Sequence, residues 1–280
     1  MMQDIFFLLK ATFLGIVEGI TEFLPISSTA HLLIIGDWIG FDAGQDKVYE
    51  IVIQLGSILA VMWIYRQRIG QLCVGTIKRQ RSELLFVRNL LLAFLPAAII
   101  GLMLIKYIKA ILNNVFIVYA ITLVLGGLIM LWVENRPGMA KHSTDEHVKG
   151  QTTSIEDISI KQALIVGFAQ CLAMIPGTSR SGSTIIAGMF AGIQRKTATE
   201  FSFFLAMPTM IAATALSLYK YGSHLSDSNL LAVGIGFLFA FLSALIVVKG
   251  LLLFVSKYSY RPFAWYRIIF GLVVAWWVLS

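Results

Sequence analysis

Long apolar runs fill most of this chain, and several approach the length that a helix needs to cross a lipid bilayer. Six of them are residues 49–65, 84–105, 115–133, 201–219, 230–255 and 263–279. A helix needs roughly 20 apolar residues to span the hydrocarbon core. Hydrophobic residues make up 58% of the chain and charged residues 13%, and the mean hydropathy is +0.82. Soluble domains do not show this composition, so the sequence predicts an all-α polytopic membrane protein with six spans.

Two further apolar runs each end at a proline and resume as a short apolar piece. The run 5–24 ends at Pro25 and is followed by 32–41; the run 160–175 ends at Pro176 and is followed by 185–193. The two short pieces are not long enough to cross a bilayer. Each pair therefore predicts two half-membrane helices that meet at a polar tip and return to the side from which they entered.

The two halves of the chain repeat the same order of segments, a broken pair and then three spans. This order predicts repeat one over 1–134, a polar cytoplasmic linker over 135–159 and repeat two over 160–280. Three spans per half is an odd number, so the second repeat is inverted in the membrane. Most loop lysines and arginines fall on the side of the linker, which the positive-inside rule makes cytoplasmic. Inverted repeats with broken helices place a site at their interface near mid-membrane.

The polar tip of the second pair reads PGTSRSGST, residues 176–184. Gly177 and Gly182 allow the backbone to turn its N–H groups inward. A following helix presents its positive end, and Arg180 adds a forked charge, which together suit a phosphate. The hydroxyl donors in this stretch are Thr178, Ser179, Ser181, Ser183 and Thr184. The simpler alternative, a helix break with a snorkelling arginine, leaves these hydroxyls unexplained.

The first broken pair carries two acids, Glu18 and Glu22, four residues apart in an apolar run. This spacing puts both on one helical face, where they repel unless a cation or a shared proton lies between them. The pair is therefore a candidate divalent-metal site or proton-transfer pair. The alternative is that Glu18 pairs with a distant lysine.

Hydroxyls and an imidazole follow these acids. Ser27 and Ser28 come two and three residues after Pro25, and His31 lies one turn later. A lone histidine is often structural, but next to acids and serines it is a candidate base, nucleophile or acid for a leaving group. One tip thus supplies a nucleophile and the other an anion cradle, the parts needed for phosphoryl transfer on a phosphorylated lipid.

Other classes of function fit less well. The net charge of +7 is spread through short loops, so no nucleic-acid partner is expected. Cys73 and Cys171 lack the spacing of a disulfide framework or a zinc site. No small-residue cleavage site follows the first apolar run, so no signal peptide is expected. The rival is a lipid-phosphate transporter or flippase with the same inverted repeats. Transport does not require His31 beside acids and serines.

The two polar tips resemble the signatures of the bacterial undecaprenyl-diphosphatases of the bacitracin-resistance type. The first is EGITEFLPISSTAH at 18–31, and the second is PGTSRSG at 176–182. The stretches QLGSILAV at 54–61 and EFSF at 200–203 are also similar, so the resemblance covers essentially the whole chain. Ala30 stands where the family shows a glycine.

The resemblance implies removal of the terminal phosphate of undecaprenyl diphosphate at the outer face of the plasma membrane. It implies recycling of the cell-wall lipid carrier, tolerance to bacitracin, and dependence on Mg²⁺ or Ca²⁺. The catalytic residues carried over are Glu18, Glu22, Ser28, His31 and Arg180, with Glu18 and Glu22 as metal ligands. The substrate-binding residues are Ser27, Thr178, Ser179, Ser181, Gly182 and Thr184. Ser28, His31 or a water held by the metal could be the nucleophile, and Ser28 is favoured. A homodimer is compatible with the sequence.

Overall fold

The computed structural model describes residues 2–41, 48–111, 115–136, 151–221 and 227–280, and nearly all of them are helical. The helices are α1 Met2–Thr21, α2 Ser28–Trp38, α3 Val48–Ile64, α4 Arg66–Ile77, α5 Arg81–Ile111, α6 Val115–Glu134, α7 Ile160–Cys171, α8 Arg180–Phe190, α9 Arg195–Tyr221, α10 Asp227–Lys257 and α11 Arg261–Leu279. A 3-10 turn, Leu172–Met174, follows α7. The prediction of an all-α polytopic membrane protein is confirmed.

Five of the described helices are long and apolar enough to cross a membrane. They contain the stretches Arg81–Met103, Phe116–Glu134, Arg195–Tyr219, Leu230–Lys257 and Arg261–Leu279. Each corresponds to one of the six predicted spans. The remaining predicted span lies in α3, which has only 17 residues, at the short end of the spanning range. The predicted number of six spans is therefore not confirmed by helix length.

Both broken pairs form as two helices joined at a proline. Pro25 separates α1 from α2, and Pro176 separates α7 from α8. Helix α1 ends at Thr21 and α7 at Cys171, a few residues before these prolines. Proline has no N–H to donate and disfavours helical torsions in the residue before it, so neither helix resumes through it. The second helices, α2 and α8, have 11 residues each, which is about 16 Å at 1.5 Å per residue. This length reaches only about half-way through a hydrocarbon core, as predicted. Helix α1 has 20 residues, about 30 Å, so it is longer than the half-membrane helix predicted there.

The helix contacts of the two halves are reciprocal. Helix α1 packs along α10, and α7 packs along α5; α3 meets α9, and α6 meets α11. Close crossings depend on glycines at matching positions. A Cβ on Gly15 would lie 2.3 Å from the carbonyl oxygen of Gly236, and one on Gly167 would lie 2.6 Å from that of Ala93. Two related halves would give this arrangement, and their division at the linker stays a prediction.

A short helix that the apolar pattern did not predict, α4, lies between α3 and α5. Its Arg68 donates to Glu83 of α5 at 2.8 Å and to Glu156 at 2.7 Å. Glu156 belongs to the described end of the predicted linker; residues 137–150 lie outside the described part of the chain. These ion pairs tie the end of the linker to α4 and α5.

Candidate active site

Glu18 lies in the last turn of α1, and Glu22 directly follows the end of that helix. The backbone N–H of Glu22 donates to the Glu18 carbonyl at 2.9 Å, so the two residues are one helical turn apart. Glu18 is fully buried, and Glu22 is 7% exposed. Ser27 then turns the chain into α2 with a left-handed φ of 72°.

The second polar tip turns in the same way. Ser179 has φ 72° and precedes α8, as Ser27 precedes α2. Its hydroxyl accepts from the N–H of Gly182 at 3.1 Å, which is the side-chain bond of an N-terminal cap. Gly177 has φ +87°, and a Cβ there would lie 2.1 Å from the Thr122 hydroxyl. Glycine is therefore required at 177 by both torsion and space.

Glu22 joins the two tips. Its Oε1 accepts a hydrogen bond from Arg180 Nη2 at 2.9 Å, and its Oε2 accepts one from the Ser28 hydroxyl. Arg180 also donates to the Ser202 carbonyl of α9 at 3.1 Å. The predicted nucleophile of the first tip and the predicted phosphate-binding arginine of the second therefore share one buried carboxylate.

His31 lies in a different environment from the one expected of a base for Ser28. Its Nδ1 lies 2.7 Å from the Ser27 carbonyl, and its Nε2 lies 2.7 Å from the Tyr266 hydroxyl. The ring stacks on Phe270 with centroids 4.5 Å apart. A carbonyl only accepts, so Nδ1 carries a hydrogen, and a neutral ring accepts from Tyr266 at Nε2. Ser28 bonds to Glu22 rather than to His31, because both ring nitrogens are already engaged.

The hydroxyls of the second tip hold the two tips and α9 together. Ser181 donates to the Leu24 carbonyl at 2.8 Å and lies 3.1 Å from the Ser179 hydroxyl. Thr184 lies 2.7 Å from the Ser202 hydroxyl. Thr178 is half-buried, and its carbonyl accepts from Arg267 of α11. The predicted substrate-binding groups are thus gathered in one place, and several are engaged with the protein itself.

A family model described as bacitracin resistance protein BacA matches residues 11–273. The chain belongs to this family. An undecaprenyl-diphosphatase of Bordetella avium is 59% identical over 281 residues, which cover 99% of each chain. An undecaprenyl-diphosphatase 2 of Shewanella oneidensis is 51% identical over 97% of this chain and 98% of its own. An undecaprenyl-diphosphatase of Acinetobacter baumannii is 51% identical over 96% of this chain and 95% of its own.

A divalent cation was predicted to bind Glu18 and Glu22, and the surroundings of these two carboxylates show whether such an ion fits there. Both Glu18 carboxylate oxygens are buried and have no hydrogen-bond partner. Buried charged oxygens without partners are costly, and a cation would remove this cost. Among the described residues no group of three or more His, Cys, Asp or Glu forms a metal site. Mg²⁺ is commonly held by one or two carboxylates with substrate phosphates and water, so the pair fits such an ion.

The sequence motifs do not include Arg267 of α11, which lies between the two polar tips in the structure. It is 1% exposed, and it contacts both polar tips through backbone carbonyls. It sits within an apolar run where an isolated arginine is costly, and that cost was the signal available in the sequence.

Proposed function

We propose that this chain removes the terminal phosphate of undecaprenyl diphosphate, releasing undecaprenyl phosphate and inorganic phosphate. The proposal is supported by family membership and by relatives of 51–59% identity named undecaprenyl-diphosphatase. The observation that carries it is the sharing of Glu22 by Ser28 and Arg180. A hydroxyl, a proton acceptor and an arginine meet there at a buried point, beside helices that face lipid.

In the first step, the Ser28 hydroxyl oxygen attacks the terminal phosphorus and its proton passes to Glu22. A bond forms between Ser28 Oγ and phosphorus, and the bond from that phosphorus to the bridging oxygen breaks. Undecaprenyl phosphate leaves with the electron pair. In the second step, a water oxygen bonds to the phosphorus of the phosphoserine and the P–Oγ bond breaks. Glu22 returns the proton to Ser28 Oγ, and inorganic phosphate leaves with the protons of the water.

Arg180 stabilises the charge that accumulates on the transferred phosphoryl group. Its guanidinium is fixed in place by Glu22 and the Ser202 carbonyl, so little reorganisation is needed during the reaction. Ser179 and Ser181 place two hydroxyls at the start of α8, whose helical dipole also favours an anion. A divalent cation held by Glu18 and Glu22 would supply further positive charge against the diphosphate.

The reaction belongs at the outer face of the plasma membrane, where it recycles the lipid carrier and confers tolerance to bacitracin. The support for this orientation is the basic region around α4, with Arg66, Arg68, Lys78, Arg79 and Arg81. The positive-inside rule assigns that region to the cytoplasm.

Phosphate release from undecaprenyl diphosphate by the purified protein in detergent tests the proposal. Glu22→Gln and Arg180→Ala should each abolish release, and EDTA should do so in the wild type. Arg66→Ala is the control, because Arg66 is exposed and its described contacts are both with Trp63, a hydrogen bond to the carbonyl and a cation–π contact with the ring. If well-folded wild-type protein releases no phosphate, the phosphatase proposal is wrong.

A lipid-phosphate transporter is the second candidate, because the reciprocal helix contacts support the predicted inverted repeat, an architecture that many transporters use. A transporter needs the anion-binding arginine but no proton acceptor on Ser28. Release of inorganic phosphate that depends on Ser28 therefore separates the two functions.

A further inference from the structure

Arg267 uses all its hydrogen-bond donors on backbone carbonyls. A guanidinium has five N–H groups, and five contacts are formed at 3.0–3.3 Å. The acceptors are the carbonyls of Pro25, Thr122, Leu123, Gly177 and Thr178. Its N–H groups are therefore all engaged, and none is left to bind a substrate phosphate.

The five carbonyls come from three separate parts of the chain. Pro25 belongs to the first polar tip, Gly177 and Thr178 belong to the second, and Thr122 and Leu123 belong to α6. Arg267 is thus a direct link between the two tips. A forked, planar guanidinium fixes the relative position of its partners more rigidly than a single charged amine does.

The residue before it, Tyr266, reaches the first tip by a second route. Its hydroxyl bonds to His31 Nε2, and His31 Nδ1–H donates to the Ser27 carbonyl, both at 2.7 Å. Ser27 is the left-handed residue directly before Ser28, so this chain of bonds fixes the backbone that carries the Ser28 hydroxyl. Tyr266 is 43% exposed, while the His31 ring that it covers is buried.

We propose that Tyr266 and Arg267, which are adjacent in α11, are positioning residues that fix the two polar tips relative to each other. Arg267 holds the tips together, and Tyr266 orients His31, which in turn braces Ser27 and Ser28. This proposal rests on the proposed phosphatase function, because it assigns how Ser28 and Arg180 are brought to the same phosphate.

Arg267→Lys tests the first part, since lysine keeps the positive charge but has only three donors and no fork. We expect kcat to fall at least about 10-fold with KM within about threefold of the wild type, because Arg180 still binds phosphate. A 10-fold fall in kcat corresponds to the net loss of one or more hydrogen bonds. Near wild-type kcat, or a rise in KM alone, would show that charge and not geometry is what Arg267 supplies.

Tyr266→Phe tests the second part and decides the outcome if Arg267→Lys does not fold. Phenylalanine keeps the ring beside Phe270 and removes only the hydroxyl. We expect kcat to fall about 3–10-fold, the value of one hydrogen bond, with little change in KM. Tyr258→Phe is the control, because Tyr258 is 56% exposed and lies outside the site.

A double-mutant cycle with His31→Gln distinguishes positioning through His31 from a general structural effect. If Tyr266 acts through His31, Tyr266→Phe should lower kcat/KM no further in the His31→Gln background. Additive losses would overturn the proposal, as would equal losses for Tyr266→Phe and Tyr258→Phe. Failure of the phosphatase function itself would look different, because the wild type would then release no phosphate.

Discussion

Ser27 and Ser179 have the same left-handed torsion, φ 72°, at the residue directly before α2 and α8. Serine rarely adopts this torsion, and two occurrences at matching points show that both tips turn in the same way. Strained torsions persist only where the surroundings fix them. Here, those surroundings include the Arg267 contacts with both tips. The two serines nonetheless differ, because only Ser179 caps its helix with its side chain.

This difference gives a prediction about stability. Ser179→Ala should lower the free energy of unfolding by about 1 kcal/mol, the usual cost of losing an N-terminal cap. Ser27→Ala should change it by less than about half of that, since no cap bond is lost. Denaturation by SDS in mixed micelles would measure both. Equal losses at the two positions would contradict the assignment of the cap to Ser179 alone.

Ser28→Ala should lower kcat by about 10²–10⁴-fold, because the attacking hydroxyl and its proton transfer to Glu22 are both lost. Ser183→Ala is the matched control, since the Ser183 hydroxyl bonds to the Ser179 carbonyl of its own turn and stands outside the proposed chemistry. Phosphate release under saturating substrate measures the effect. A loss of only a few-fold for Ser28→Ala would indicate that a water molecule attacks the phosphorus instead.

Gly236→Ala should destabilise the protein by about 1–3 kcal/mol, because overpacking a close contact has this cost. Its Cβ would lie 2.5 Å from the Tyr49 hydroxyl and 2.9 Å from Ile53 Cγ2. Gly234→Ala, two residues earlier in α10, should be neutral or mildly stabilising because no atom lies within 4 Å of its Cβ. Thermal unfolding in detergent compares the two. A similar fall in the unfolding temperature of both variants would mean that loss of helix flexibility, and not packing, determines their stability.

The sequence predicted the helices other than α4, and the two polar tips, because apolar runs and prolines are local signals. It also placed Glu22, Ser28 and Arg180 in one site, since two separate motifs pointed to the same chemistry. It did not predict that Glu22, rather than His31, accepts from Ser28, because that choice depends on Tyr266, which lies 235 residues from His31. Arg267 was missed for the same reason: its partners are backbone carbonyls, which leave no pattern in side-chain identity.

Glu156, which forms an ion pair with Arg68 of α4, should contribute to the pH dependence of the protein's stability. Burial raises the pKa of Glu156, but hydrogen bonds from Ser154 and Arg68 and the charge of Arg68 lower it more, so the pKa is below its ordinary value of 4.5. A lowered folded-state pKa stabilises the protein above the unfolded value, and the gain is lost as pH falls below about 4.5. The effect is small, because the Glu156 side chain is 31% exposed.

Glu156→Gln should therefore lower the unfolding midpoint at pH 7 and make little difference near pH 3. Asp157→Asn is the control, because Asp157 is the exposed neighbour of Glu156. Thermal unfolding at the two pH values measures both variants. An equal effect of Glu156→Gln at pH 7 and pH 3 would rule out the ion pair as its cause.

Glu18→Gln should abolish activity and yet leave the protein as stable as the wild type or more stable when divalent cations are removed. The fully buried Glu18 carboxylate has no hydrogen-bond partner for either oxygen, so replacing it with a neutral amide removes an unfavourable buried charge. A residue kept at a cost to stability is expected where function needs it. Mg²⁺ should raise the unfolding midpoint of the wild type through binding to the folded state, and it should not raise that of Glu18→Gln. If Mg²⁺ stabilises both proteins equally, the cation binds elsewhere and Glu18 has another role.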